Sequence, residues 1–274
     1  MEELAAAKVN LFLRVLGRRD DGFHAIETLM TRITLYDSLQ IERAGHFEFQ
    51  SNDPTLPAGE DNLVVRAALL FFSATKREPN VRITLQKKIP HGAGLGGGSS
   101  DAAATLRLLS RFFEIELSRE KLANLAAELG SDVPFFLGQT AAICRGRGEM
   151  VEPVQLPGQL NLVLLKPSFS VSTPWAYSRF RQAQEIPGVI YKSQKIGRQI
   201  FVNDLERPVF EKFVFLARLK SWLLEQAEVT VVLMAGSGST IFAVLAEPNS
   251  AEALIMRARK ELDPNLWARF CQTL

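Results

Sequence analysis

The chain has 274 residues, of which 47% are apolar and 23% charged, a balance typical of a globular protein with one large domain or two associated domains. Its net charge of +2 and its interleaved basic and acidic residues argue against a nucleic-acid partner. The two cysteines lack metal-ligand spacing and no apolar run reaches the roughly 18 residues of a membrane span, so we expect a cytoplasmic protein with no metal site of its own and no membrane partner.

The first third of the chain predicts strands followed by a helix and a further strand. Short β-rich runs occur within residues 5–15 and 25–50, and turn residues between them favour antiparallel pairing. Residues 61–76 are predicted to form a helix, because apolar residues repeat at helical spacing behind an Asp or Asn cap. The run VRITLQKKIP at 81–90 is then typical of a strand.

The rest of the chain predicts clusters of strands and helices. In order, they are a helix at 118–129 that begins at Ser118 and ends at Gly130, a strand at 161–167, a helix at 172–180, a largely helical segment at 208–227, strands at 229–234 and 239–246, a helix at about 248–260 and a last strand near 267–272. Because the strands come in clusters rather than in strict alternation with helices, the predicted fold class is α+β with two lobes. The predicted lobes cover residues 1–152 and 153–274.

A glycine-rich segment connects the strand at 81–90 to an amphipathic helix that begins near Ser99. Five glycines lie from Gly92 to Gly98, where they leave backbone N–H groups open to a ligand. The N-terminus of a helix adds about half a positive charge, so the segment favours binding of phosphate. It lacks the lysine of a Walker A loop, and GAGLGG matches the dinucleotide motif only weakly. A surface turn is the alternative, although a turn needs only one or two residues with positive φ.

Four segments, in order, resemble the superfamily of galactokinase, homoserine kinase, mevalonate kinase and phosphomevalonate kinase. They are AKVNLFLRVLGRRDDGFH at 7–24, PHGAGLGGGSS at 90–100, GSDVPFFL at 130–137 and GSGSTIFAV at 236–244. Within it, the chain is similar to kinases that phosphorylate the 2-hydroxyl of a cytidine-diphosphate-linked methylerythritol in the non-mevalonate isoprenoid pathway. The resemblance implies an ATP-binding and catalytic ribosomal-protein-S5-like lobe over 1–152, and a ferredoxin-like, substrate-binding lobe over 153–274.

The resemblance implies that Lys8 and Asp132 are the catalytic pair. Phosphoryl transfer needs a group that guides the hydroxyl proton and a positive charge near the γ-phosphoryl oxygens. From the residues alone, Asp132 is more often an N-cap and Lys8 a solvated strand lysine. Alternation along the strand nevertheless places Lys8 and Asn10 on one face, which makes a site plausible. Whether Asp132 removes the proton or orients the hydroxyl remains open.

The resemblance also implies the residues that bind ATP. They are Pro90, His91, Gly92, Ala93, Gly94, Leu95, Gly96, Gly97, Gly98, Ser99 and Ser100 in the loop, with Asn62 at a helix start and the strand end near Lys87 towards adenine. Mg²⁺ is expected to be bound mainly by ATP oxygens and water, with Ser99 or Ser100 as an additional ligand. Asp101 follows this loop, and we expect its carboxylate to point away from bound phosphate.

For the acceptor with its cytidine diphosphate group, the resemblance implies a second set of residues. They are Asn10, Phe23, His24, Thr173, Tyr177, Gly236, Ser237 and Gly238, with Phe23 and Tyr177 on either side of the cytosine ring and His24 hydrogen-bonded to it. From the residues alone, His24 is more often a turn histidine, the two aromatic residues are core residues by default, and the 236–238 segment is equally a hairpin turn.

Three classes of function remain open at this point: a small-molecule kinase, a nucleotide-binding regulator without catalysis, and an RNA-associated module. The presence of Lys8 and Asp132 argues against the regulator. An RNA module would require a basic stripe with interleaved aromatic residues. Among kinases, homoserine or mevalonate kinase is the second choice, and we expect a monomer or a weak homodimer.

Overall fold

Two β-sheets organise the chain, and the computed structural model describes all 274 residues. In chain order, the elements are β1 (Glu2–Arg18), β2 (His24–Arg43), β3 (Glu48–Ser51), α1 (Leu63–Thr75), β4 (Val81–Gln86), α2 (Gly97–Phe112), α3 (Arg119–Leu129), β5 (Ala141–Gly146), β6 (Met150–Val154), β7 (Asn161–Lys166), α4 (Thr173–Arg179), β8 (Gln194–Ile196), β9 (Gln199–Asn203), α5 (Glu206–Lys212), α6 (Val214–Leu224), β10 (Val229–Met234), β11 (Ile241–Leu245), α7 (Ala251–Glu261) and β12 (Trp267–Gln272). Short 3₁₀ turns occur at Pro134–Leu137 and Pro248–Ser250.

The first sheet has the strand order β3-β4-β2-β1-β9-β8, and the β5-β6 hairpin pairs with β2. The short runs predicted near the N-terminus are in fact two long antiparallel strands of 17 and 20 residues, β1 and β2. Their pairing continues from Glu2 opposite Gln40 to Arg18 opposite His24, with three irregularities in register. Irregularities of this kind bend a strand, which lets this pair follow the curvature of the core.

The second sheet has the order β10-β11-β7-β12, and all its neighbours are antiparallel. One of its faces packs on the first sheet through a shared core that contains Val9, Leu11, Leu164 and Phe242. Helices α1 to α3 cover the outer face of the first sheet, and α5 to α7 cover the outer face of the second. This helix–sheet–sheet–helix layering confirms the predicted α+β class with two lobes.

Helix α2 is the element that brings the glycine-rich segment to the site. On one face of this helix, Ala102, Leu106 and Leu109 form an apolar stripe that is fully buried against the first sheet and the neighbouring helices. Complete burial of a leucine side chain contributes about 1.5–3 kcal/mol, so the stripe fixes the rotation of the helix. The helix begins at Gly97, two residues before the predicted start at Ser99.

The local predictions for the other helices mostly agree with the structure. The side chain of Asn62 accepts a hydrogen bond from the Val64 N–H at the start of α1, and the side chain of Ser118 accepts one from the Lys121 N–H at the start of α3. The segment 208–227, predicted to be largely helical, forms two helices, because Phe213 leaves helical geometry with φ −109° and ψ 68° and separates α5 from α6. No helix in the fold has both the length and the apolar character needed to cross a membrane.

Strands β8 and β9 belong to the second half of the sequence but pair with the first sheet. Strand β9 runs parallel to β1, with Leu13 opposite Asn203. The predicted division at residue 152 falls inside β6 and remains a prediction. This return of the chain brings the end of β9 close to the strand that carries Lys8.

Candidate active site

A cleft of about 1210 Å³ opens beside the glycine-rich segment, which we call the phosphate loop (residues 90–99). Ligand pockets typically measure about 300–1,000 Å³, so the cleft has room for a nucleotide and a second substrate. It is lined by all the predicted site residues except Ser100 and Gly238. Ser100 is buried behind the loop and its N–H is bonded to Gly96 O. Gly238 faces Met234 and Val171.

The phosphate loop ends in the open N-terminus of α2. Gly96 is the N-cap in a left-handed conformation with φ 69°, and no side chain caps the helix. The first N–H groups of a helix have no partner within the helix, and here Gly97, Gly98 and Ser99 line the cleft. These amides and the positive end of the helix dipole form a site suited to the phosphates of a nucleotide.

Glycine is sterically required at Gly94 and Gly96. Both residues have positive φ, at 74° and 69°. A Cβ on Gly96 would lie 2.9 Å from Lys8 Cγ and 2.9 Å from Phe136 Cζ. A Cβ on Gly94 would overlap Ala235 O and lie 2.9 Å from Gly238 O. The main chain of the phosphate loop therefore touches both the lysine and the turn at 235–239, which we call the second glycine loop.

Lys8 and Asp132 meet in the cleft. The Lys8 Nζ lies 3.5 Å from Asp132 Oδ2 and donates a hydrogen bond of 2.7 Å to Asn10 Oδ1. Asn10 in turn donates to Thr28 Oγ1 at 2.8 Å, which fixes the orientation of its amide. The Lys8 and Asn10 side chains therefore share one face of β1, as the alternation predicts.

The capping alternative for Asp132 is wrong. The 3₁₀ turn that follows has Val133 as its N-cap, and no side chain bonds to it. The Asp132 side chain instead keeps 33% of its surface exposed to the cleft, whereas that of Lys8 is only 5% exposed. A partly accessible carboxylate beside a buried ammonium can contact an incoming substrate.

The second glycine loop is the hairpin turn between the antiparallel strands β10 and β11, and it is also packed against the phosphate loop. A Cβ on Gly236 would lie 3.0 Å from Gly94 O, 3.3 Å from Lys8 Nζ and 3.5 Å from Asn10 Oδ1. The hydroxyl groups of Ser237 and Thr173 lie 2.7 Å apart and both residues line the cleft. The loop therefore forms a wall of the site beside Lys8 and Asn10.

Aromatic rings and arginines form the far end of the cleft. The rings of His24 and Tyr177 are 5.4 Å apart with a tilt of 30°, and the Arg147 guanidinium lies 4.9 Å from the centre of the half-exposed Phe23 ring. Burial, together with the positive charge of Arg18 and Arg181, lowers the pKa of His24 below its ordinary value. The His24 imidazole is therefore neutral at pH 7 and can both donate and accept a hydrogen bond.

Asp101, whose carboxylate is expected to point away from bound phosphate, lies beneath the phosphate loop. Its carboxylate is buried at the floor of the cleft, 2.8 Å from Lys87 Nζ, and Lys87 also forms an ion pair with Asp37. Burial, with a smaller contribution from the Asp37 carboxylate, raises the pKa of Asp101 to about 7 against the attraction of Lys87. The Lys87 ammonium is thus paired with two buried carboxylates, those of Asp37 and Asp101, and it lies directly beneath Gly97.

This arrangement predicts a specific pH dependence of stability. Between the ordinary pKa of 3.8 and the raised value of about 7, the folded protein holds a proton on Asp101 that the unfolded chain releases. The Asp101 contribution to the free energy of unfolding therefore falls as pH rises, by about 1.4 kcal/mol per pH unit for one proton. Asp101→Asn removes this slope, so urea unfolding of variant and wild type should diverge from pH 4 to 7. Parallel curves would contradict the raised pKa.

Two of the residues predicted to contact ATP have structural roles as well. The Asn62 amide caps α1 and also donates to Pro57 O at 2.9 Å, and the Lys87 ammonium is held by two carboxylates. Sequence reasoning missed the cationic residues Arg18, Arg147 and Arg181 of the cleft. Arg18 lies inside the first matched segment, so its position was available as a signal, whereas Arg147 and Arg181 lie outside all four segments.

Two family models and a shared fold define the class of protein to which the chain belongs. The chain matches the family model "GHMP kinases N terminal domain" over residues 62–139 and "GHMP kinases C terminal" over residues 192–263. A homoserine kinase from Cytophaga hutchinsonii, at 18% identity and a TM-score of 0.66 over 98% of this chain and 94% of its own, shares the fold. The two family models thus define the chain as a small-molecule kinase of the GHMP class.

Relatives of higher identity define the family. A 4-diphosphocytidyl-2-C-methyl-D-erythritol kinase of Methylacidiphilum infernorum is 42% identical over 100% of this chain and 97% of its own length. One of Chloroherpeton thalassium is 37% identical over 96% and 95%. A crystal structure of 4-(cytidine 5'-diphospho)-2C-methyl-D-erythritol kinase superposes with a TM-score of 0.81 at 36% identity over 99% of both chains. The chain belongs to the family of 4-diphosphocytidyl-2-C-methyl-D-erythritol kinases.

Proposed function

We propose that this kinase transfers the γ-phosphoryl group of ATP to the 2-hydroxyl of 4-diphosphocytidyl-2-C-methyl-D-erythritol, with Lys8 and Asp132 beside the reacting atoms. One observation carries the proposal: the two side chains lie 3.5 Å apart where the uncapped N-terminus of α2 and the second glycine loop meet. A phosphate bound at the helix and a hydroxyl entering from the aromatic end would come together there.

The nucleotide would bind with its phosphates on the backbone amides of the phosphate loop. No cluster of three or more His, Cys, Asp or Glu side chains is placed to bind a metal ion. A Mg²⁺ ion would be coordinated mainly by ATP oxygens and water, with Ser99, which lines the cleft, as an additional ligand. When bound, Mg²⁺ supplies neutralisation of phosphate charge.

Lys8 and Asp132 would divide the remaining chemistry. The Lys8 ammonium is buried and tethered by Asn10, so its positive charge faces the transferring phosphoryl oxygens without reorganising. The Asp132 carboxylate would accept a hydrogen bond from the acceptor hydroxyl and either take its proton or align it for attack. Both roles need the carboxylate within hydrogen-bond distance of the hydroxyl, about 2.6–3.2 Å.

The acceptor's cytosine would bind at the aromatic end of the cleft. A base between Phe23 and Tyr177 gains about 1–3 kcal/mol from stacking, and the neutral His24 offers a hydrogen bond to its edge. Arg18, Arg147 and Arg181, which line the same cleft, would supply positive charge to the acceptor's diphosphate group. A substrate without the nucleotide part would lose all these contacts.

The proposal is tested by ADP release with three acceptors at equal concentration: 4-diphosphocytidyl-2-C-methyl-D-erythritol, homoserine and mevalonate. We expect a kcat/KM at least about 1000-fold higher for the first, because homoserine and mevalonate leave the cytosine site and its arginines unfilled. Carbon and phosphorus NMR of the product should place the new phosphate on the 2-hydroxyl. Equal or faster turnover of homoserine or mevalonate would overturn the assignment.

A further inference from the structure

Asn203, at the end of β9, holds the second glycine loop from behind. Its side-chain amide donates two hydrogen bonds of 2.7 Å, to Met234 O and to Gly236 O. Its side-chain oxygen accepts a third, of 2.9 Å, from Leu205 N. The residue is 4% exposed and does not line the cleft. Because both amide hydrogens are used, the side chain has one fixed orientation.

The atoms that Asn203 holds are those that approach the catalytic pair. Gly236 has φ 54°, and its Cα faces Gly94 O, Lys8 Nζ and Asn10 Oδ1 so closely that a Cβ would lie 3.0–3.5 Å from them. Thr240, the residue that follows this loop, is also tied to the phosphate loop by a hydrogen bond of 3.3 Å from its N–H to Ala93 O. A change in the position of Gly236 therefore changes the space beside Lys8.

Asn203 is itself anchored to the strand that carries Lys8. Strand β9 pairs in parallel with β1 at Leu13 and Asn203, and Asp204 N donates to Leu13 O at 3.0 Å. Glu206 supports the same connection, since it accepts the Met234 N–H at 2.9 Å and its charge is paired with buried Lys220. One rigid frame thus sets the positions of both the lysine and the loop.

We infer that Asn203 is a positioning residue for phosphoryl transfer, which sets the second glycine loop against Lys8 without touching either substrate. The inference rests on the proposed function, because it takes the acceptor hydroxyl to meet the γ-phosphoryl group between Asp132 and this loop. Misplacement of a site by about 1 Å can lower a rate about 100-fold. The phosphate loop keeps its own anchors, such as the bond from Lys8 N to Leu95 O at 2.9 Å, so the chemical step should suffer more than ATP binding.

Gln194 provides a matched control. Its side-chain amide makes the same kind of contact with the same strand, donating to Val232 O at 2.7 Å and accepting from Val232 N at 3.0 Å. Val232 lies two residues before Met234, and Gln194 does not line the cleft. Loss of the Gln194 amide therefore removes two hydrogen bonds to β10 without releasing the second glycine loop.

The experiment compares Asn203→Ala and Gln194→Ala in the full chain, with ATP and 4-diphosphocytidyl-2-C-methyl-D-erythritol as substrates. We expect Asn203→Ala to lower kcat about 30- to 100-fold, with the Kd for ATP from calorimetry within about threefold of wild type. Gln194→Ala should keep kcat within about twofold. A wild-type kcat in Asn203→Ala, or an equal loss in both variants, would overturn the inference.

Asn203→Asp provides a second test of the inference, and this test remains usable if Asn203→Ala fails to fold. It keeps the shape and the acceptor for Leu205 N, but an ionised carboxylate repels the two carbonyl oxygens, whereas a protonated one can donate to one of them. Its kcat relative to wild type should therefore rise as pH falls from 8 to 6, and a flat ratio near one would overturn the inference.

The same assays separate the inference from the proposed function on which it rests. Both wild type and Gln194→Ala are expected to phosphorylate 4-diphosphocytidyl-2-C-methyl-D-erythritol. Failure of both would overturn the proposed function itself.

Discussion

Asp132→Asn should lower kcat by about 10²–10⁴-fold while leaving the Kd for ATP nearly unchanged. The amide has the same shape as the carboxylate but cannot take a proton and is a poorer acceptor for a hydroxyl donor. Lys8 keeps its 2.7 Å hydrogen bond to Asn10 in the variant, so the ammonium should stay in place. Single-turnover kinetics and calorimetry with ATP separate the chemical step from nucleotide binding.

A matched substitution controls for the change of charge. Asp263→Asn alters an aspartate that accepts the Asn265 N–H at 2.8 Å in the turn before β12 and does not line the cleft. Its kcat should stay within about twofold of wild type. Activity retained in Asp132→Asn would reject the role given to this carboxylate, and a parallel loss of ATP affinity would mean that Asp132 acts on nucleotide binding instead.

Gly94→Ala is expected to have the second large effect, on both activity and stability. Alanine at φ 74° costs about 1–2 kcal/mol by itself. The added Cβ would in addition overlap Ala235 O, a main-chain atom that cannot rotate away. The two glycine loops must then separate, which displaces Gly236 from Lys8, so we expect kcat/KM to fall at least about 100-fold. Steady-state kinetics and thermal unfolding measure the two effects.

Gly188→Ala measures the free-energy cost of placing alanine at positive φ in the absence of a steric clash. Gly188 also has positive φ, at 83°, but no atom lies within 4 Å of the Cβ position, and it does not line the cleft. This variant should lose about 1–2 kcal/mol of stability at most, with unchanged kcat. If the two glycine variants lose activity to the same degree, the contact between the loops does not matter for catalysis.

Much of the site follows from short-range patterns that a sequence displays directly. Alternation along β1 places Lys8 and Asn10 on one face, and the apolar stripe of α2 turns its N-terminus towards the cleft. The helix cap at Asn62 is likewise a local rule, since the amide bonds to Val64 N only two residues away. The preference of aspartate for helix N-caps leads to a wrong prediction only at Asp132, because the turn that follows begins without a side-chain cap.

Two of the strands missed from the sequence, β5 and β9, pair with strands that are remote along the chain. The β5-β6 hairpin and strands β8 and β9 carry weak local signals, and β9 is defined by its pairing with β1, with Leu13 opposite Asn203. The role of Asn203 follows from that pairing, because its acceptors at Met234 and Gly236 lie about 30 residues further on. Periodicity reports which face of a strand is apolar, but it does not report which strand lies beside it.

By itself, the sequence determined the glycine conformations, the amphipathic helix behind them and the four ordered segments that indicate the family, because these depend on neighbouring residues. The positions of the buried charged side chains were decided only by the tertiary structure. Asp37 and Lys87 are 50 positions apart, yet both are buried with Asp101 below the phosphate loop. Charged groups that are buried away from water need partners of opposite charge. Which groups pair here is set by the packing of α2 on the first sheet rather than by any local preference.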